Sequence, residues 1–160
     1  MKQHIVHPFP PLYNNNSRIL ILGSFPSVKS REQMFFYGHP QNRFWKVLST
    51  LLDCPLPGTV GEKRELLLSH GIALRDVIAE CDIAGSSDAS IENAVPNDLR
   101  PILETGHIEK IFCNGAAAFA LYEKHIRPTL GREAVKLPST SPANAAWTLP
   151  KLLEAWRQIL

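Results

Sequence analysis

The stretch Phe35–Trp45, with the sequence FFYGHPQNRFW, has residue types that could hold a flat ring and stabilise negative charge on it. Tyr37 stands before a Gly-His-Pro corner, and Asn42 stands after it. Pro40 fixes its own φ and lacks an N–H, so it suits the first turn of a helix. Asn42 would then lie in that first turn, where free backbone N–H groups carry partial positive charge. A buried corner with ordinary core aromatics is the alternative interpretation.

Two loops with unusual sequences follow short apolar runs elsewhere in the chain. GSFPS, residues 23–27, follows the run RILIL, and PSTSPAN, residues 138–144, follows AVKL. Asp76 and Asn114 lie at or near the ends of two other apolar runs. If these runs are parallel strands, their carboxyl ends form one edge, where ligands bind in open α/β sheets. We therefore expect these polar groups to share one cleft.

The hydrophobic periodicity predicts strands that alternate with helices. The strands are 18–22, 72–78, 108–113 and 134–137, and the helices are 44–52, 60–70, 116–127, 148–160 and one that is capped by Asn97 or Asp98 and ends at Gly106. Residues 1–17 are interpreted as an irregular lead-in and 81–96 as a long, partly functional loop. The alternation favours a three-layer α/β/α fold with a central four-stranded, mainly parallel sheet.

The composition fits one domain with an ordinary core, because 44% of the 160 residues are hydrophobic and 20% are charged. The net charge of +2 permits a local nucleic-acid-binding patch without requiring one. The three cysteines are far apart, which argues against a zinc or iron–sulfur site, and we expect no metal. Since no apolar run approaches a membrane span and no signal core is present, we expect a cytoplasmic monomer that binds no membrane.

The segment His39–Val47, HPQNRFWKV, resembles the corresponding segment of mismatch-specific uracil-DNA glycosylases. The loop at 23–27 occupies the place of the first active-site motif of that superfamily, and the loop at 138–144 occupies the place of its second motif. Taken together, GSFPS, YGHPQNRFW and STSPAN most resemble the hypoxanthine-DNA glycosylase branch. The resemblance implies a uracil-DNA glycosylase-like fold, a DNA substrate with a deaminated base, and no cofactor.

Two positions depart from the superfamily pattern. Phe25 stands where many members have an Asn or Asp that positions the attacking water, and Leu137 stands where many have a His that stabilises the departing base. The resemblance implies that other polar groups take over, and Asn42 and Asn114 are the nearest candidates. The hypoxanthine branch is thought to use the Asn of its His-Pro-x-Asn segment, which is Asn42 here.

The matched positions carry individual expectations within this resemblance. Tyr37 corresponds to the ring that stacks on the flipped base, and stacking is worth ~1–3 kcal/mol. Asn42 could orient the water or bind a purine edge, because its amide both donates and accepts. Asn114 could bind the Watson–Crick edge or simply belong to a turn. Asp76 is a possible water-holding base, although a loop-fixing hydrogen bond is the simpler role, and His39 is expected to fix the corner.

The two loops supply the expected contacts to substrate and DNA. Ser24 and the backbone N–H groups of Phe25 and Ser27 could contact the base or a phosphate. Arg43 lies close enough to the cleft to meet the DNA backbone. In the loop at 138–144, three residues have hydroxyls that suit phosphate oxygens, namely Ser139, Thr140 and Ser141. The next three would wedge into the gap left by the base, namely Pro142, Ala143 and Asn144. An ordinary proline-rich turn is the alternative for this loop.

We therefore expect a monofunctional DNA glycosylase that removes a deaminated base and leaves an abasic site, with hypoxanthine ahead of uracil or xanthine. No lysine falls in the matching motif positions, which argues against Schiff-base chemistry. Phe25 motivates one alternative, a module that binds a damaged base or single-stranded DNA without cutting it. A second alternative is an enzyme that acts on a free nucleoside.

Overall fold

The computed structural model describes residues 1 to 160. Its strands are β1 (Gln3–Val6), β2 (Ile19–Gly23), β3 (Ile72–Asp76), β4 (Ile78–Ile83), β5 (Glu92–Pro96), β6 (Lys110–Asn114) and β7 (Ala134–Leu137). The central sheet has the spatial order β3-β2-β6-β7. Each neighbouring pair in it is parallel, so the carboxyl ends of all four strands reach the same edge.

Seven α-helices connect or flank these strands. They are α1 (Val28–Gln33), α2 (Phe44–Leu51), α3 (Val60–Leu68), α4 (Arg100–Thr105), α5 (Ala116–His125), α6 (Arg127–Leu130) and α7 (Leu149–Trp156), with 3₁₀ turns at Asp88–Ser90 and Arg157–Ile159. A capping box opens α3, since the Thr59 hydroxyl and the Glu62 carboxylate each accept the other residue's backbone N–H. No helix combines the length and the apolarity that crossing a membrane requires.

The central strand β2 separates two hydrophobic clusters. Ile19 and Ile21 face the cluster that includes side chains of α2, α3 and α7, whereas Leu20 and Leu22 face the cluster that includes side chains of α4 and α5. Successive side chains of a strand point to opposite faces, so a strand covered on both faces needs an unbroken apolar run. This arrangement confirms the predicted three-layer α/β/α fold with a four-stranded sheet.

A second sheet, with the order β1-β4-β5, lies in segments for which no strand was expected. β1 belongs to the lead-in interpreted as irregular, and β5 with the end of β4 belongs to the segment interpreted as a loop. Both neighbours of β4 pair with it in the antiparallel sense. β1 and β5 are largely exposed edge strands, so they lack the apolar alternation by which strands are predicted.

The strand expected over 72–78 divides at Val77, with consequences for the site. Asp76 closes β3, and Ile78 opens β4. The backbone N–H of Val77 donates to the Gly23 carbonyl at 2.8 Å, and that of Ile78 donates to the Ser24 carbonyl at 3.1 Å. The end of β3 is therefore held directly against the loop that follows β2.

Trp156, at the end of α7, binds the loop at 138–144 through a hydrogen bond that can be tested. The side chain is fully buried, and its indole Nε1–H donates to the Pro138 carbonyl at 2.9 Å. We expect Trp156→Phe to lower the free energy of unfolding by about 1–3 kcal/mol, because the carbonyl of the half-buried Pro138 loses its partner. Urea denaturation measures the loss. The control is Trp147→Phe at an exposed position, and equal losses in the two variants would contradict this role.

Candidate active site

A pocket with a cavity volume of about 360 Å³ opens at the carboxyl edge of the central sheet. This volume lies in the range of small-molecule sites, roughly 300–1,000 Å³. The pocket is walled by the loop after β2, the turn before α2 and the loop after β7, with the ends of β3 and β6 beneath. The structure thus brings together segments that are far apart in the chain.

Most residues singled out from the sequence line this pocket. They are Ser24, Phe25, Ser27, Tyr37, His39, Asn42, Asp76, Asn114, Ser139, Thr140, Ser141, Pro142 and Ala143. Arg43 and Asn144 do not line it. His39 holds the corner as expected, because its Nδ1 accepts the Gln41 backbone N–H at 3.1 Å.

Asn42 is fixed by hydrogen bonds that it accepts. Its Oδ1 accepts the Phe44 backbone N–H at 2.9 Å and the Thr140 hydroxyl at 2.8 Å. The Arg43 backbone N–H adds a bond of 3.0 Å to the Thr140 carbonyl. The turn before α2 and the loop after β7 are therefore joined through Asn42 and Thr140, and Thr140 is fully buried.

These bonds decide which end of the Asn42 amide faces the pocket. Oδ1 has both of its lone pairs engaged, whereas Nδ2 bonds to no group of the protein. A flipped amide would place an N–H group against the Phe44 backbone N–H, which can only donate, and would remove the acceptor of the Thr140 hydroxyl hydrogen, so these bonds fix the orientation. Asn42 therefore offers the pocket donors and no acceptor.

The position of Asn42 differs from the sequence prediction in one respect. α2 begins at Phe44, so Asn42 precedes the helix instead of lying within its first turn. The reason is a turn at the corner, in which the Asn42 backbone N–H donates to the His39 carbonyl at 3.0 Å. From the position before the N-cap residue Arg43, the Asn42 side chain accepts the first helical N–H, that of Phe44.

Asn114, the other candidate amide, is bound at both ends to one residue. Its Oδ1 accepts the Thr140 backbone N–H at 3.0 Å, and its Nδ2 donates to the Thr140 hydroxyl oxygen at 3.0 Å. The Thr140 hydroxyl in turn donates a hydrogen bond to Asn42 Oδ1. A chain of hydrogen bonds thus runs from the end of β6 through the second loop to the start of α2.

Tyr37 presents an aromatic surface that is held rigidly. Its ring stacks on the Phe44 ring, with centroids 4.0 Å apart and planes inclined by 18°. Its carbonyl accepts the Trp45 indole N–H at 3.1 Å. The backbone has a φ of 51°, a left-handed conformation that L-residues with side chains rarely adopt. Such strain persists where the surroundings impose it, and it concentrates at functional sites.

Gly23 gives Asp76 and the Tyr37 hydroxyl room to lie side by side. A Cβ at Gly23 would clash with Asp76 Oδ1 and would lie 3.2 Å from Tyr37 Oη. Burial raises the pKa of Tyr37 above its usual range; the Asp76 negative charge adds to the rise, and Asn114 opposes it. The hydroxyl therefore keeps its proton at neutral pH, and it is buried without a hydrogen-bond partner.

The loop after β2 is held by its own serines and by Asp88, which belongs to the segment 81–96 that was interpreted as a partly functional loop. The Ser27 hydroxyl caps α1 by accepting the Ser30 backbone N–H at 3.1 Å. The Ser24 hydroxyl donates to Asp88 Oδ1 at 2.6 Å. Although Asp88 lies at the exposed rim, desolvation by the pocket wall raises its pKa, the Ser24 bond opposes the rise, and the Asp76 charge adds to it.

His7 lies directly beneath the pocket and was missed from the sequence. Its Nε2 lies 2.7 Å from Asp76 Oδ2, and the two side chains are 2% and 6% exposed. The His7 backbone N–H donates to the Ala79 carbonyl at 2.7 Å, which anchors the segment after β1. Nothing in the residues around His7 signals this contact, because it depends on the unforeseen pairing of β1 with β4.

Arg43 and Asn144, which were expected to contact DNA, organise the second loop in this structure. The Arg43 guanidinium donates to the carbonyls of Ser141 at 3.0 Å and Asn144 at 3.1 Å, and also to that of Trp147. The Asn144 side-chain amide donates to the Ser139 carbonyl at 3.0 Å. The polar ends of both side chains are therefore bound to loop carbonyls in this structure, and their contact with DNA stays a prediction.

The role of Arg43 in holding the loop can be separated from a role in binding phosphate. We expect Arg43→Lys to lower the free energy of unfolding by about 1–3 kcal/mol, since an ammonium cannot reproduce the planar fork that reaches three carbonyls. Thermal unfolding measures this effect. The matched control is Lys46→Ala, an exposed base one turn along α2. If Arg43→Lys unfolds like the wild type, the guanidinium does not hold the loop.

Three comparisons with known proteins agree with this arrangement. A family model described as the uracil DNA glycosylase superfamily matches residues 10–160. The chain is 34% identical over 137 residues to a protein of Methanosarcina acetivorans named hypoxanthine DNA glycosylase, with 85% of this chain and 86% of that protein covered. A protein of the same name from Methanosarcina barkeri is 32% identical over 138 residues, with the same coverage.

A solved structure shares the fold over almost the whole chain. It is a solution NMR structure of a Methanosarcina acetivorans protein, described provisionally as a uracil DNA glycosylase. Its TM-score is 0.79 at 28% identity, and the match covers 97% of this chain and 99% of that one. Since the family model spans residues 10–160, nearly the whole chain, the chain belongs to the uracil DNA glycosylase superfamily.

Proposed function

We propose that this DNA glycosylase hydrolyses the N-glycosidic bond of a flipped, deaminated base in DNA, with hypoxanthine preferred, and leaves an abasic site. The observation that carries the proposal is the fixed Asn42 amide, which offers only donors to a pocket that is also lined by Tyr37. The names of the two curated relatives support hypoxanthine as the base.

Donors without acceptors suit the chemistry of deaminated bases. Deamination replaces an exocyclic amino group, which donates hydrogen bonds, with a carbonyl, which accepts them. The Asn42 Nδ2–H groups can bind such a carbonyl, whereas an amino group at the same position would meet donor against donor. The same amide therefore favours hypoxanthine over adenine.

The same donors favour the transition state over the ground state. As the bond from sugar to base breaks, negative charge develops on the base, and a preorganised N–H group stabilises it without reorganising. Asn42 is preorganised because the Phe44 N–H and the Thr140 hydroxyl hold its other end. Removing one such donor typically costs about 10²–10³ in rate.

Reaching this pocket requires the base to leave the duplex. Enzymes that act on a base extrude its nucleotide and hold the base against aromatic side chains. The Tyr37 ring already stacks on Phe44 on one side, so its other side is the platform for the flipped base. The rigid loop at 138–144, held by Arg43 and Trp156, would occupy the space that the base leaves.

A panel of damaged bases tests the proposed reaction. Duplexes containing inosine, xanthine, uracil or undamaged adenine are incubated with excess enzyme, and abasic sites are then cleaved with alkali. We expect cleavage at inosine to be fastest and none at adenine. Tight binding to inosine DNA without base release would instead indicate a binding module. Release of hypoxanthine from free deoxyinosine alone would indicate a nucleoside enzyme.

The role of Asn42 is tested by Asn42→Asp, which keeps the Oδ1 acceptor and replaces the donor nitrogen with a carboxylate oxygen. We expect the single-turnover excision rate to fall by about 100-fold or more, because donation to the base is lost and a negative charge replaces it. Retention of the melting temperature within a few degrees would show that the acceptor bonds persist.

The chain offers a matched control in Asn14. Its Oδ1 also accepts a backbone N–H two residues ahead and a serine hydroxyl, from Asn16 and Ser17, but it does not line the pocket. We expect Asn14→Asp to excise inosine like the wild type. If Asn42→Asp changes the rate by twofold or less, Asn42 does not donate to the base.

A further inference from the structure

We propose that Asp76 Oδ1 holds the water that attacks the sugar, and that His7 is a positioning residue that fixes the Asp76 carboxylate for this task. This inference rests on the proposed function, because it names the group that activates water in the same pocket. The sequence alone offers three candidates that could meet the water, namely Asn42, Asn114 and Asp76. The hydrogen bonds around the pocket separate them.

The two oxygens of Asp76 have different environments. Oδ2 is bound to His7 Nε2 at 2.7 Å, whereas Oδ1 bonds to no group of the protein. Oδ1 lies above the backbone of Gly23, where the absence of a Cβ keeps it accessible from the pocket. The residue as a whole is only 4% exposed. A carboxylate oxygen that no protein group binds, and that is reached from a cavity, is an acceptor for a donor from solvent or substrate.

The tautomer of His7 follows from its second nitrogen. Nδ1 faces the Phe9 backbone N–H at 3.5 Å and Arg75 Nη1 at 3.4 Å, so it lies opposite donors and carries no hydrogen. The ring hydrogen therefore resides on Nε2 and is donated to Asp76 Oδ2. His7 holds the carboxylate as an orienting donor and leaves Oδ1 free to accept.

The His7 ring is itself held on several sides. Its centroid lies 4.5 Å from that of Phe9 and 5.8 Å from that of Phe25, both in edge-on geometry, and 6.3 Å from that of Phe36. A ring packed in this way cannot turn without displacing core aromatics. Phe25, in the loop after β2, thus packs against the histidine that holds Asp76.

The other acceptors of the pocket are engaged or exposed. Asn42 Oδ1 accepts two hydrogen bonds, and Asn114 Oδ1 accepts the Thr140 backbone N–H. Asp88 Oδ1 accepts the Ser24 hydroxyl, and its side chain lies at the exposed rim. Asp76 lines the pocket, is only 4% exposed as a residue, and has in Oδ1 a carboxylate oxygen that bonds to no group of the protein. Water activation therefore falls to Asp76, and donation to the base falls to Asn42.

The step is a hydrolytic displacement at the anomeric carbon. The water oxygen forms a bond to C1′ while the bond from C1′ to the base nitrogen breaks. The electron pair of the breaking bond passes to the base. One water proton is transferred to Asp76 Oδ1, and the Asn42 Nδ2–H groups stabilise the anionic base. The base then takes up a proton, Asp76 returns its proton to solvent, and the products are the free base and an abasic sugar. No cofactor enters the balance.

The first test compares the rate of chemistry with the affinity for DNA. We expect Asp76→Asn to lower the single-turnover excision rate on inosine DNA by about 100-fold or more, the range of general-base catalysis. Its Kd for the same duplex should stay within about threefold of wild type, since Asn fills the same space. The control is Asp82→Asn, because Asp82 forms an exposed pair with His4 at 2.8 Å, far from the pocket lining.

The second test addresses positioning by His7. We expect His7→Ala to lower the rate by about 10- to 100-fold, because misplacement of a catalytic group by 1 Å has a cost of this order. His7→Gln should recover most of the loss, since its amide N–H can replace Nε2–H. His4→Ala, on the same N-terminal segment, should excise at the wild-type rate. If His7 had only a structural role, His7→Ala would have a lower melting temperature and His7→Gln would not recover kcat. That outcome would contradict positioning by His7.

Chemical rescue keeps the inference falsifiable if a variant is unstable. Added formate should restore part of the activity of Asp76→Ala, because a small carboxylate can occupy the vacated space, and it should not restore Asn42→Asp. An Asp76→Asn enzyme with more than half of the wild-type rate overturns the inference, as does a 100-fold loss in Asp88→Asn instead. If the wild type releases no base from any duplex, the proposed function fails, and this inference fails with it.

Discussion

The hydrogen bond from the Thr140 hydroxyl to Asn42 Oδ1 is the interaction on which the rest of the site depends. It joins the loop after β7 to the turn before α2, and Asn114 extends the link to the end of β6. Because both acceptor positions of Asn42 are occupied, its donors alone face the pocket. A bond that holds the loops in place thus also sets the polarity of the site, and Thr140 can serve this purpose because it is fully buried.

The parallel sheet makes this arrangement rigid. Its carboxyl edge brings Gly23, Asp76 and Asn114 to neighbouring positions. The strand registers Gly23↔Asp76 and Asn114↔Leu137 fix where these residues lie along the strand direction. Two backbone features complete the site at this edge. Gly23 leaves space for the Asp76 carboxylate, and Tyr37 adopts a left-handed φ that turns its ring onto Phe44. Sites held by strand ends and packed rings keep the geometry that preorganised donors require.

The parts that could be predicted from the sequence are those coded by local patterns. The continuous apolar run of β2 and the capping box of α3 predicted the central sheet and a helix, and the strand Ala134–Leu137 has the predicted bounds. The second sheet could not be predicted, because its edge strands are exposed and carry no apolar period. His7 was missed for the same reason. The orientation of the Asn42 amide depends on Thr140, 98 residues away, so no local pattern could reveal it.

The most direct test of this account is a crystal structure of the Asp76→Asn variant bound to duplex DNA that contains inosine. The account predicts an extruded base against the Tyr37 ring, with Asn42 Nδ2 donating to an acceptor of the base and Oδ1 still bonded to Thr140. A water should lie between the side chain at position 76 and C1′ of the sugar. An Asn42 amide turned away from the base, or a base bound outside the pocket between the loops at Gly23 and Pro138, would contradict it.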